Sequence, residues 1–259
     1  MFNVPVVILA VIAALGLVHA VFVLALTPEQ TNDFLVLFAF IPARYDRAVL
    51  AAESWAVGWG AAVWTFVSYA FLHGNLNHLF FNAVWLLAFG TPVARRFGAF
   101  RFIAFYLVTA AAGAAVHLAT HWGEMFPMIG ASAAISGAMA AAMRFAFQRG
   151  GPLGTLGGGD EDSYCVPAAP LARMLRDPRV LIFLVVWFGI NLLFGLGTVS
   201  LPGMEQAVAW QAHVGGFLAG LMLFALFDPV RHSDASGGGE QTVADPAHSA
   251  PTNGNPTIH

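Results

Sequence analysis

Six blocks of largely apolar residues succeed one another along the chain, at about 4–26, 78–97, 101–121, 127–147, 179–197 and 206–227. Each meets or approaches the ~20 apolar residues that a helix needs to cross a bilayer. The first block resembles a secretory leader, with "VHA" at 18–20 in place of a cleavage site. Its apolar run is too long for a leader and no basic residue precedes it, so it reads as a retained span. The connection 27–77 breaks the pattern. It is aromatic-rich, too polar to span and too apolar to float free, which predicts segments lying at the membrane interface or against the bundle. The stretch "RGGPLGTLGGGDEDSY" reads as a flexible loop, and 229–259 as a polar, disordered tail after a 1–228 membrane domain. No internal repeat is visible, which argues against a transporter built from duplicated halves.

Composition agrees with this reading. Hydrophobic residues make up 58% of the 259 and charged residues only 10%, so the chain is a membrane protein. A net charge of −3 gives no sign of a nucleic-acid partner. A single cysteine, Cys165, rules out an intramolecular disulfide and a cysteine-based metal site. All 11 basic residues are arginine, and nine of them fall on one side of the predicted spans. Only Arg44 and Arg47 fall on the other. By the positive-inside rule both termini are cytoplasmic, and the expected location is the inner (plasma) membrane.

Polar side chains at membrane depth are costly and mark function. "HGNLNHLFFN" brings His73, His78 and Asn82 into the second span, His78 and Asn82 sharing one helix face. "MIGASAAISGAMAAA" places Ser132 and Ser136 in the fourth, and "AHVGGFLAG" places His213 in the sixth. At about 1.5 Å per residue, Asn82 lies roughly 6–9 Å, Ser132 about 8 Å and His213 about 10 Å below one membrane face. A serine facing a histidine supplies a nucleophile and its base. Ser132, near a helix N-terminus, has free backbone N–H groups for an oxyanion, and His78 and Asn82 add side-chain donors. No intramembrane carboxylate lies near His213, which predicts a Ser–His dyad with neither metal nor cofactor. Small residues at four-residue spacing, Ala212, Gly216 and Gly220 against Ala133 and Gly137, let the two helices approach closely. Ser136 reads as bonded to its own helix. His117 and His121 read as an interfacial pair, and His19 has no evident partner.

These residues resemble the rhomboid family of intramembrane serine proteases, from about Trp64 to Phe227. The resemblance rests on "FLHGNLNHLFFN", the glycine–any–serine element "GAS" and "AHVGGFLAG", in that order on spans 2, 4 and 6. It implies an all-α, six-helix membrane bundle with a long membrane-associated loop after the first helix. It implies Ser132 as nucleophile, His213 as general base, and His78, Asn82 and the Ser132 N–H as the oxyanion hole. It also implies transmembrane protein substrates, cleaved near the outer face of the bilayer. The alternative within the family is a weak or inactive relative that binds membrane clients. Three departures stand out: Ala133 replaces the usual glycine after the nucleophile, Ser136 replaces a common aromatic, and Ala94 replaces a glutamate expected to anchor the first loop.

Overall fold

The computed structural model describes residues 4–52, 59–154, 160–196 and 208–230. The expected loop at 198–205 and almost all of the expected tail lie outside the described residues. Helix α1 (Val6–Leu24) is followed by a connection holding α2 (Pro28–Phe38), a 3-10 turn at Pro42–Tyr45, α3 (Arg47–Ala52) and α4 (Trp59–Ser68). Next come α5 (Leu76–Trp85) and α6 (Thr91–Phe97), joined by a π-helical turn at Leu86–Gly90 into one span. Helices α7 (Ala99–Thr120), α8 (Ser132–Met143), the short α9 (Leu171–Met174), α10 (Pro178–Gly195) and α11 (Trp210–Phe227) complete the order. Five spans of 18 to 22 residues are long and apolar enough to cross a membrane, with α8 as a shorter sixth. The chain is thus an all-α, multi-pass membrane bundle.

The π-helical turn has a local cause. Pro92 follows it directly and lacks the N–H that an α-helical turn would use, so the helix widens by one residue there.

Helix α8 is the centre of the bundle. Eleven of its twelve residues are buried, so it is enclosed on every side. The sequence predicts a span over 127–147; the helix itself is shorter, and the reason is local. Pro127 cannot donate and Gly130 sits at φ +122°, a conformation that no helix contains. The segment before Ser132 is therefore extended, and Met128 pairs through both its N–H and C=O with Phe40. Twelve residues rise only about 18 Å, against a hydrocarbon core of about 30 Å. The first residue of α8 thus starts well below one end of the bundle.

Close approach is built from glycine. A Cβ on Gly216 would overlap the Ala133 carbonyl, and one on Gly220 would overlap the Gly137 carbonyl. On the other flank, a Cβ on Gly137 would lie 2.6 Å from Thr109 of α7. The predicted small-residue ridges are therefore real backbone contacts among α7, α8 and α11.

The two ends of the bundle differ. One carries Arg95, Arg96, Arg144 and Arg179, and there Arg96 is more than a topology marker. Its guanidinium makes two 2.8 Å bonds to the Asp228 carboxylate and two more to the carbonyls of Tyr164 and Val166. The Arg96 side chain is fully buried and that of Asp228 nearly so. Phe145 and Phe224 cover the guanidinium at 4.7 and 5.5 Å. A forked, fully satisfied pair of this kind ties the end of α6 to the end of α11.

At the opposite end the long connection packs on the bundle. Ser68 Oγ donates to Phe38 O at 2.7 Å, Trp64 Nε1 to Leu37 O at 2.8 Å and Tyr45 OH to Ala62 O at 2.7 Å. Arg44, one of the two arginines on this side, is buried with its guanidinium on the Val36 carbonyl. Its charge is spent inside the connection, which explains its place against the general arginine bias. Ala94 lies about 27 Å of helix rise from the start of α5, so a side chain there would not reach this connection. The connection is anchored by its own bonds instead.

Candidate active site

Helix α5 begins where Asn75 accepts the His78 N–H at 2.8 Å, an N-cap that explains the second polar residue of "HGNLNH". This cap sets His78 in the first turn and Asn82 one turn below. Asn82 is buried, and one of its amide hydrogens goes to His78 O at 3.0 Å. His19, without a partner in the sequence reading, donates from Nδ1 to the His73 carbonyl at 2.9 Å, fastening α1 to the approach of α5. The His73 ring stands edge-on to His78, 5.0 Å between centroids. Burial, then the His78 and His19 rings beside it, push the His73 imidazole down to about 3, so it stays neutral.

Gly130 connects this wall to α8. Its N–H donates to Tyr69 O at 3.0 Å. A Cβ there would come within 2.6 Å of His78 Nε2 and 3.8 Å of Ser132 Oγ. The space that glycine leaves is filled by the His78 ring, which brings Nε2 beside the serine. Both the backbone angle and this contact require glycine at position 130.

Ser132 and His213 meet directly: Oγ and Nε2 are 2.7 Å apart. The close packing of α8 on α11 makes this possible. Ser132 is the first residue of α8, so the N–H groups of the first turn have no acceptor within the helix and point into the same space. Ser136 is not equivalent. Its hydroxyl donates to Ser132 O at 2.7 Å, one turn back on its own helix.

The sequence reading gave His213 no third partner, and the structure corrects this. Nδ1 of His213 bonds to Oδ1 of Asn191 on α10. The Asn191 side chain is buried, and its Nδ2 donates to Trp187 O at 2.8 Å. The signal was present as the lone amide in "VVWFGINLLFG", a polar side chain inside an apolar span.

Ala133 also finds its account here. It is 1% exposed, so its methyl does not project into open space. A Cβ built on Gly113 of α7 would fall 2.6 Å from it. Gly113 therefore supplies the room that Ala133 takes. Ala133→Gly is expected to leave the Ser132–His213 contact and any activity within about twofold, while lowering stability by up to ~1 kcal/mol through helix propensity. Thermal unfolding and turnover measured side by side check this; a large gain in activity would mean that the methyl obstructs substrate.

Ser132, His213, His78 and Asn82 all line one cavity of about 1150 Å³. Its side walls are Phe81 and Trp85 of α5 and Trp187 and Ile190 of α10. His117 and His121 stack at its rim, 4.2 Å between ring centroids. Among the described residues no group of three or more His, Cys, Asp or Glu side chains is arranged to hold a metal ion.

The rhomboid domain family matches residues 60–229, more than half of the chain. The chain belongs to the rhomboid family. A curated relative, "Rhomboid protease GlpG" of Serratia proteamaculans (strain 568), is 25% identical over 161 residues. That match covers 62% of this rhomboid chain and 47% of the relative, so it spans about half of the relative's length. The family match takes in α5, α8, α10 and α11 and leaves α1 to α3 outside it.

Proposed function

We propose that this rhomboid is an intramembrane serine endopeptidase in which Ser132 is the nucleophile and His213 the general base. The single observation that carries the reading is the 2.7 Å Oγ–Nε2 contact at the head of a buried helix. Nε2 takes the Ser132 proton as Oγ attacks the scissile carbonyl, and returns it to the leaving amine. Water then releases the acyl-enzyme by the same base. The developing oxyanion sits among the Ser132 N–H, His78 Nε2–H and the remaining Asn82 amide hydrogen. The relative's name, a protease, agrees with this chemistry.

The substrate class follows from where the cavity lies. Its walls on α5 and α10 are exposed aromatic and aliphatic side chains, with Trp85 44% and Ile190 47% exposed. A peptide reaching Ser132 between them comes from the lipid side, which favours the transmembrane segments of other membrane proteins. The recessed start of α8 sets cleavage near the membrane face opposite the arginine end. With that end cytoplasmic, cleavage falls near the outer face of the inner membrane.

Purified protein in liposomes with a labelled single-span substrate tests this reading. Cleavage is expected. His78→Ala and Asn82→Ala are each expected to lower kcat by about 10²–10³-fold, the usual consequence of losing one oxyanion donor. Full turnover in both variants would remove them from the mechanism. Binding of the substrate with no cleavage would instead favour a client-binding rhomboid.

A further inference from the structure

Helix α10 contributes a polar group to a site that α5, α8 and α11 otherwise complete, and the direction of its hydrogen bonds is fixed. Trp187 O can only accept, so the atom of the Asn191 side chain that faces it at 2.8 Å is the NH2 nitrogen. The other atom, Oδ1, therefore faces His213, and it too can only accept. Nδ1 of His213 must then carry the proton, which leaves Nε2 as a bare acceptor for the Ser132 hydroxyl. The chain of bonds runs Ser132 Oγ–H to Nε2, Nδ1–H to Oδ1, and Nδ2–H to a helix carbonyl. No member can be reversed.

We propose that Asn191 is the positioning residue of this rhomboid, selecting the His213 tautomer that can act as a base and fixing the ring toward Ser132. The inference rests on the Ser132–His213 reading above and adds a group that the expected dyad lacks. A carboxylate does this work in many serine hydrolases. A neutral amide does it here without placing a charge in the bilayer. The arrangement also ties the base to α10, the helix that forms one wall of the cavity. Its remaining holds on the bundle are ring contacts, Phe183 on Phe89 at 5.6 Å and Trp187 on Phe217 at 4.9 Å. Asn191 does not touch substrate; it acts through His213.

Two substitutions of similar volume separate this role from packing. Asn191→Asp keeps an acceptor oxygen facing Nδ1 and is expected to hold kcat within about fivefold. Asn191→Leu fills the space without an acceptor and is expected to lower kcat by about 10–100-fold, with KM within about twofold. Nitrogen NMR of 15N-histidine protein reads the tautomer directly. His213 in the unmodified protein is expected as the Nδ1–H form, and Asn191→Leu is expected to show a mixture. Equal activity in Asn191→Leu and wild type, equal losses in the Leu and Asp variants, or an Nε2–H tautomer in the wild type would each overturn the proposal. The wild-type spectrum needs no variant to fold. Ser132→Ala assayed in parallel separates the two claims. If cleavage survives it, the catalytic reading itself fails; if it is inactive while Asn191→Leu is normal, only the role of Asn191 falls.

Discussion

Ser132→Ala is expected to abolish proteolysis of a membrane-embedded substrate, a loss on the order of 10⁵–10⁶ in kcat for a serine that acts as a unit with its histidine. Ser136→Ala is expected to leave turnover within about threefold. The contrast is sharp because both serines lie on one face of α8, four residues apart and equally free of charge. Only Ser132 Oγ reaches Nε2 of His213, at 2.7 Å, while Ser136 Oγ is committed to the Ser132 carbonyl. Losing that back-bond frees a carbonyl that already belongs to the helix ladder, so little follows. Liposome cleavage assays on both variants, with thermal unfolding to establish that each is folded, make the comparison. Activity in Ser132→Ala, or its loss in Ser136→Ala alone, would move the nucleophile one turn along the helix.

The second large effect comes from one methyl group far from any charge. Gly216→Ala places a Cβ against the Ala133 carbonyl, where backbone faces backbone and no flexible side chain can yield. Helices α8 and α11 must then separate by about an ångström, at a cost of roughly 1–3 kcal/mol. Ser132 and His213 ride on those two helices, three residues or fewer from the contact. A displacement of about 1 Å between reacting groups commonly costs about 10²-fold in rate. Gly216→Ala is therefore expected to lose both stability and kcat, whereas Gly220→Ala, one turn further from the serine, loses stability with a smaller loss of rate. Turnover and unfolding midpoints measured on the pair check this. Wild-type values in Gly216→Ala would mean that the two backbones are not in contact.

Much of this was legible because the informative residues are local. His78 and Asn82 declare a shared face by their spacing, "GAS" opens a helix, and the glycines of "AHVGGFLAG" announce a close neighbour. What escaped is what depends on distant partners. Asn191 lies 22 residues from His213 along the chain, with no motif around it, and only its polarity inside an apolar span hinted at a role. His19 bonds to a backbone carbonyl, which leaves no signature in any side chain. Arg96 looked like one more arginine of the positive-inside bias because its partner Asp228 is 132 positions away. The length of α8 was overestimated because apolar character continues through 127–131. Pro127 and Gly130, the residues that forbid helix there, were readable but were outweighed by hydropathy. Ala133 looked like an obstruction until Gly113, on another helix, was seen to make room for it.

The central claim is that Ser132, activated by His213, is a nucleophile. Fluorophosphonate labelling of the protein in liposomes, with the modified residue located by peptide mass spectrometry, tests it most directly. The account predicts one adduct, on Ser132, present in the wild type and absent in His213→Ala. An adduct on Ser136, or Ser132 labelling that persists at the wild-type rate without His213, would contradict it.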